Sequence, residues 1–300
     1  MFHSILVPLD GSAFSEAALP YALGVSRRTG AAVQLASVHE PVPSFAHDEW
    51  ESAAWQWSED YLRSVRDDVV TKVGGEVEAW VGTGRVVDLL MSRADAVDAG
   101  LVVMATHGRG ALTRAWLGSV ADGFVRHAHQ PVLIVRPSDG DDPPDDPTFD
   151  EILVALDGSA LSESVLDLAA EMARIYSGHL HLVRVVAYPV EIASPYLPHT
   201  VQMNQKILDE AKIAAREYLD GIAERLRQDG LEVETHVHVD AQAGHAIARE
   251  AEEVGADLIV MATHGRGSLQ RALLGSTTDK VIRAVHVPVL VRRPDEADEA

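Results

Sequence analysis

Seven residues, MATHGRG, are spelled twice in this chain, at Met104–Gly110 and Met261–Gly267, and LGS follows each copy at the same distance, at Leu117–Ser119 and Leu274–Ser276. A glycine-bearing loop written twice at fixed spacing points to a fold built by duplication, with each copy one structural unit. The repeat is not confined to that loop. Ile5–Leu19 matches Ile152–Leu166 except at four positions, where Pro8, Phe14, Ala17 and Ala18 face Ala155, Leu161, Ser164 and Val165. PVLIVRP at Pro131–Pro137 likewise pairs with PVLVRRP at Pro288–Pro294. Three blocks in one order divide the chain into tandem domains of ordinary length, 1–137 and 149–294. Between them, 138–148 reads SDGDDPPDDPT, with no apolar residue except proline. Its carboxylates repel one another and its prolines favour extended backbone, so a solvated linker is expected.

At 300 residues and 47% hydrophobic, the chain can bury two cores. It has no cysteine, which excludes disulfide and thiolate chemistry and suits a reducing compartment. The N-terminal MFHSILVPLDG lacks the basic stretch and long apolar run of a signal peptide. No apolar run approaches the ~20 residues that span a bilayer. A cytoplasmic protein without a membrane partner is the expectation. The net charge of −21 repels nucleic acid, whose binding depends on lysine and arginine releasing counterions. A nucleotide can still bind where local donors and a cation offset its phosphates, which gives Arg109 and Arg266 more weight than the total charge.

Short apolar runs alternate with helical patterns. In the first half, strands are expected at Ile5–Leu9, Ala32–Val38, Glu76–Val81, Leu101–Ala105 and Val132–Val135, and helices at Ser15–Arg28, Ser52–Val73, Val86–Val97 and Gly118–His127. The second half repeats the order, with strands Ile152–Leu156, Leu180–Val186, Val233–Val239, Leu258–Ala262 and Val289–Val291. Its helices are expected at Glu163–Tyr176, Gln202–Gln228, Ala243–Glu253 and Ser276–Val285. Strands that are continuous apolar runs imply a parallel sheet covered on both faces. The fold class is therefore α/β, two tandem Rossmann-like domains, each a five-stranded parallel doubly wound sheet. Ligands of such sheets bind beyond the carboxyl ends of the strands, where Asp10, Asp157 and the glycine loops fall.

Gly108 lets the backbone turn or approach a ligand closely. Nine residues later Gly118-Ser119 opens a helix, whose unpaired N–H groups and dipole favour an anion. Ser119 can donate to a phosphate or simply cap the helix. The second set is Gly265 with Gly275-Ser276. Neither GxxxxGK[ST] nor a complete GxGxxG is present, so a P-loop NTPase or a nicotinamide dehydrogenase finds no support.

The spacing of the glycines, the aspartate ending strand one and the closing PVLVV-like strand resemble the ATP-binding class of universal stress proteins, over both halves. The resemblance implies a tandem member with an adenine nucleotide alpha-hydrolase-like fold, binding ATP with Mg²⁺. Asp10 and Asp157 would contact adenine, as would backbone groups at Val38 and Val185. Gly108, Gly118, Ser119 and Val120, then Gly265, Gly275, Ser276 and Thr277, would hold ribose and phosphates. Where the family pattern begins with glycine, this chain has Ala105 and Ala262. A left-handed backbone there would cost alanine about 1 kcal/mol or more, whereas a need only for a small side chain would cost nothing. His107 and His264 either donate to phosphate or brace the loop, and Arg109 and Arg266 are phosphate or surface partners. The implied role is a nucleotide-dependent regulatory module of the stress response. No general base or nucleophile is placed at a phosphate, so no catalytic residue is assigned. The alternatives are a slow ATP-hydrolysing or adenylylating enzyme, or a scaffold that no longer binds nucleotide. Family members commonly pair through the fifth strand, so the two halves are expected to form an intrachain pseudo-dimer and whole chains a homodimer.

Three further features have plain readings. His179-x-His181 and His236-x-His238 each put two imidazoles on one strand face, but no third ligand has the right local spacing, so no metal is expected. Trp50, Trp55 and Trp57 either pack a helix onto its neighbour or cover a base. Glu16 and Glu163 enrich the first turn of a helix.

Overall fold

The computed structural model describes residues 2–40, 48–73, 75–106, 117–137, 144–188, 200–263 and 275–293. It divides into two compact units. Unit 1 comprises Met1–Thr148 together with His286–Arg293, and unit 2 comprises Phe149–Val285.

The first half runs β1 (Ser4–Pro8), α1 (Ala13–Glu16), α2 (Leu19–Thr29), β2 (Ala32–His39), α3 (Asp48–Val73), β3 (Val77–Thr83), α4 (Val86–Ala96), β4 (Leu101–Ala105), α5 (Ser119–His127) and β5 (Val132–Val135). The second half repeats the series as β6 (Glu151–Ala155), α6 (Ala160–Glu163), α7 (Leu166–Tyr176), β7 (His179–Val186), α8 (Thr200–Gln228), β8 (Val233–Val239), α9 (Ala243–Glu253), β9 (Leu258–Ala262), α10 (Ser276–Ala284) and β10 (Val289–Arg292). In unit 1 the strand order is β3-β2-β1-β4-β5, every neighbouring pair parallel. In unit 2 it is β8-β7-β6-β9, again parallel. The central strands carry the core: Ile5, Leu6 and Val7 of β1 and Ile152, Leu153 and Val154 of β6 are fully buried. Unbroken apolar runs are what a sheet covered on both faces requires, and the α/β class read from the sequence is the class observed. Strand β10 lies in unit 1, antiparallel to β5, with Val289 opposite Ile134 and Val291 opposite Val132.

The expected first helix of each half is two helices, with breaks at Ala17–Ala18 and Ser164–Val165. The cause is local hydrogen bonding. Ser12 and Ser159 cap the short helices by accepting from the backbone N–H groups of Ser15 and Ser162. The hydroxyls of Ser15 and Ser162 then donate back to the carbonyls of Ser12 and Ser159. Serine side chains that bond nearby backbone compete with a continuing helix. Other boundaries differ from expectation by a few residues at most.

The C-terminal part of the acidic segment is tied down by ion pairs at Asp146 and by burial of Pro147. Asp146 accepts hydrogen bonds from Arg28 and Arg27, at 2.8 and 2.6 Å. The two guanidiniums, Arg28 foremost, hold its carboxyl down at about 2. Three residues on, Phe149 is buried edge-on against Tyr176, with ring centroids 4.8 Å apart.

Among the described residues, two non-glycine side chains sit at positive φ where the other half has glycine, Asp98 at φ +48 against Gly255 and Ser177 at φ +56 against Gly30. Helix α2 ends on Gly30 at φ +75, and its counterpart α7 ends on Ser177 at φ +56. A side chain in the left-handed region costs roughly 1–2 kcal/mol, which glycine does not incur. Ser177→Gly is therefore expected to stabilise unit 2 by about 1 kcal/mol, read as a later denaturant midpoint at unchanged slope. An unchanged midpoint would show that the serine bears no strain.

Candidate functional site

At the carboxyl edge of each sheet the chain makes the same turn twice. Asp10 follows β1, and its Oδ1 accepts from the backbone N–H of Ser12 at 3.0 Å and from the Ser12 hydroxyl at 2.6 Å. Asp157 follows β6, and its Oδ1 accepts from Ser159 N–H at 2.9 Å and from the Ser159 hydroxyl at 2.5 Å. Each aspartate N–H donates to the second serine of its turn, Ser15 or Ser162. The carboxylate is thus fixed by the turn that starts the helix. The next strand over contributes Val38 in β2 and Val185 in β7.

The fourth strand of each half delivers the helix that faces this turn. Helix α5 begins at Ser119 with Gly118 as its N-cap, and α10 begins at Ser276 with Gly275 as its N-cap. Neither start has a side-chain cap bond among the described residues. The cap reading of Ser119 and Ser276 therefore does not describe the geometry, and the first-turn N–H groups are of the kind that attract an anion. The glycines are pinned by backbone: Gly118 N–H donates to the Thr106 carbonyl at 2.6 Å and Gly275 N–H to that of Thr263 at 2.8 Å. In unit 2, the Thr278 hydroxyl adds a bond to the Ala262 carbonyl.

Ala105 and Ala262 are the last residues of β4 and β9, and neither has a positive φ. Alanine at the family's glycine position is therefore free of left-handed strain.

In unit 2 these pieces enclose a cavity of about 120 Å³. Four residues singled out in the sequence line it: Asp157, Val185, Ala262 and Thr277. Val183, Ile247 and Met261 supply apolar walls that sequence reasoning did not assign. Pockets that take a whole drug-sized ligand measure ~300–1,000 Å³, so this space accommodates a group of base size. Gly275 and Ser276 sit at the start of α10 without lining it. In unit 1 the corresponding residues Asp10, Val38, Ala105 and Val120 occupy the same ends of β1, β2, β4 and α5. His107, Gly108, Arg109, His264, Gly265 and Arg266 lie outside the described residues.

A second repeated constellation was not anticipated. The Tyr61 hydroxyl donates to Glu16 at 2.9 Å, and the Tyr218 hydroxyl to Glu163 at 3.0 Å. The glutamates read as first-turn charges are also acceptors from the long third helix of their unit. In unit 2 the Arg184 guanidinium lies 4.7 Å from the centre of the Tyr218 ring, over Gly158. Gly158 sits at φ +81, a left-handed backbone that favours glycine, and a Cβ there would also push the Arg184 guanidinium aside. The recurrence of a tyrosine on the same helix of both halves was the available signal. Trp57 stacks on Tyr61 of the same helix and Trp55 meets His39 edge-on, and both tryptophans remain exposed.

Paired Rossmann-like α/β units, each bringing an aspartate turn and a glycine-started helix to one sheet edge, define the class. The universal stress protein family model matches residues 1–136 and 148–293, and the chain belongs to the universal stress protein family. A universal stress protein of Mycobacterium tuberculosis is 29% identical over 298 residues, covering 97% of each chain. Another, from Mycolicibacterium smegmatis, is 28% identical over 302 residues at the same coverage. Among solved structures, a universal stress protein from Archaeoglobus fulgidus superposes with a TM-score of 0.73 at 24% identity, covering 97% of this chain and 98% of that one. No helix among the described residues is long and apolar enough to cross a membrane.

Burial first, and then donation to Glu16 and Glu163, pushes the Tyr61 and Tyr218 hydroxyls well above the usual phenol value near 10. An unfolded tyrosine ionises near pH 10 while these stay neutral, so their contribution to stability is whole below pH 10 and is lost as pH rises beyond it. In an absorbance titration, native protein is expected to form phenolate later than denatured protein, and Tyr61→Phe with Tyr218→Phe should remove most of the lag. Coincident native and denatured curves would contradict the burial of these bonds.

Proposed function

We propose that each unit binds an adenine nucleotide, ATP with Mg²⁺, and that the bound state makes the chain a nucleotide-dependent regulatory module of the stress response rather than an enzyme. One observation carries this reading: the unit 2 cavity, where Asp157, Val185, Ala262 and Thr277 converge beside an uncapped helix start. Its apolar walls suit the flat faces of a purine. The Asp157 carboxylate suits an exocyclic amine, and the first turn of α10 suits phosphates that extend out of the base-sized space. In a chain of net charge −21, a divalent cation is needed to offset the triphosphate. Gly118, Ser119, Val120, Gly275, Ser276 and Thr277 hold ribose and phosphates, and Gly108 and Gly265 complete the loops, with His107, Arg109, His264 and Arg266 beside the phosphates. The domains are 1–137 and 149–294, the protein is cytoplasmic, and ligand binding is read out through assembly.

Binding rather than turnover is favoured because, among the described residues, Asp157 is the one ionisable side chain lining the cavity, and one of its oxygens is held by Ser159. For assembly, the antiparallel pairing of β10 with β5 supports an intrachain pseudo-dimer, since it pairs strands that would otherwise expose their edges. Whole chains then associate as a homodimer.

Calorimetric titration with MgATP tests the reading. Two equivalents per chain are expected, falling to one in Ala262→Leu, which fills the unit 2 cavity, and in Ala105→Leu, its counterpart. Circular dichroism confirms that the variants fold. Absence of binding to the unaltered chain would sink the proposal, as would two equivalents in both variants.

A further inference from the structure

At the opposite edge of the unit 2 sheet, about 20 Å from Asp157 along β6 by strand rise, the two His-x-His pairs acquire partners that sequence spacing could not supply. Glu151 opens β6 and is paired with His179, which opens β7. Glu151 Oε2 lies 2.6 Å from His181 Nε2 and 3.5 Å from His179 Nδ1. One donor atom from each of these three residues falls within 4.8 Å of the others. Behind them, His181 Nδ1 is 3.1 Å from His236 Nε2, and His236 Nδ1 is 2.8 Å from Glu250 Oε1. The second Glu250 oxygen is taken by His238 Nε2. Glu250 and His181 are buried, at 2% and 6% exposure.

The ring that meets Glu151 is thus braced from behind: His181 Nδ1 faces His236, and His236 in turn faces the buried Glu250 carboxylate. Ligating histidines are characteristically held this way, with the far ring nitrogen donating to a further partner that ends on a carboxylate.

Unit 1 shows that the fold itself does not demand this arrangement. Its equivalents of Glu151, His179 and His181 are Ser4, Ala32 and Gln34, and Arg93 replaces Glu250. Arg93 donates to Gln34 at 2.7 Å and to Glu78 at 3.1 Å, and lies over the Trp80 ring. One half thus places an arginine at this edge, and the other gathers imidazole and carboxylate donors.

We infer that Glu151 Oε2, His179 Nδ1 and His181 Nε2 form a site for a divalent transition-metal ion of the zinc class, backed by His236 and Glu250. Two imidazoles and one carboxylate are a set that zinc takes in tetrahedral geometry with a fourth position open to water. Bonds of about 2.0–2.1 Å place such donors roughly 3.3 Å apart. His179 and Glu151 are already near that separation, and the Glu151 oxygen has to withdraw from His181 by less than ~1 Å. The ion would tie the starts of β6 and β7 together, in the second half only.

Titration of the full-length chain with Zn²⁺ by calorimetry at pH 7.5 in a non-chelating buffer tests this, with Co²⁺ absorption reporting the coordination. One tight equivalent is expected, with the intense visible bands of tetrahedral cobalt. The double variant Glu151→Gln, His179→Ala alters two part-exposed side chains and should weaken binding at least 100-fold and abolish those bands. No stoichiometric uptake by the unaltered chain, or equal uptake by the folded double variant, would overturn the assignment.

Discussion

Parallel pairing of the first strand with the fourth is the constraint on which the candidate site depends. In unit 2, Ile152–Ala155 align with Leu258–Met261, and in unit 1 Ile5 and Leu6 align with Leu101 and Val102. Because the strands run the same way, whatever follows them emerges at the same edge. The first strand has the second on its other side, so the connections leaving its two neighbours depart in opposite senses. That divergence opens a cleft at the strand ends. The aspartate turn fills one side of it and the glycine-started helix the other. The burial that holds β1 and β6 in place therefore also sets the spacing between carboxylate and helix start.

Much of this was legible in the sequence because its causes are local or repeated. Apolar runs alternating with helical patterns identify the parallel sheet, and duplication identifies equivalent positions. The order aspartate, small residue, glycine-serine places its members at strand ends and helix starts. Less legible were features made by contact through space. The break between α1 and α2 follows from serine hydroxyls folding back on the turn, and an apolar stripe across the break conceals it. The bonds from Tyr61 to Glu16 and from Tyr218 to Glu163 join residues on separate elements. So does the convergence of Glu151 and Glu250 on the His-x-His pairs, where spacing within each strand gave no hint of a third ligand. At the family's glycine position the sequence left strain and tolerance open, and the backbone shows alanine ending a strand without positive φ.

The two halves have kept and lost different things. At the carboxyl edge the turn geometry agrees to within a few tenths of an ångström, down to the serine that bonds each aspartate. At the amino edge one half has an arginine stacked on tryptophan, and the other a relay of histidines and glutamates. Helix ends have drifted too, with Ser177 where the first half has glycine. The carboxyl edge has thus kept one geometry in both halves, while the amino edge has diverged between them.

Hydrogen–deuterium exchange over the whole chain, with and without MgATP, tests the central claim of two working strand-end sites most directly. Slower exchange in MgATP is expected in both halves, at 10–15 with 118–122 and at 157–162 with 275–279, leaving the opposite sheet edges unchanged. Identical exchange in the two conditions, or slowing confined to regions away from the aspartate turns and helix starts, would contradict it.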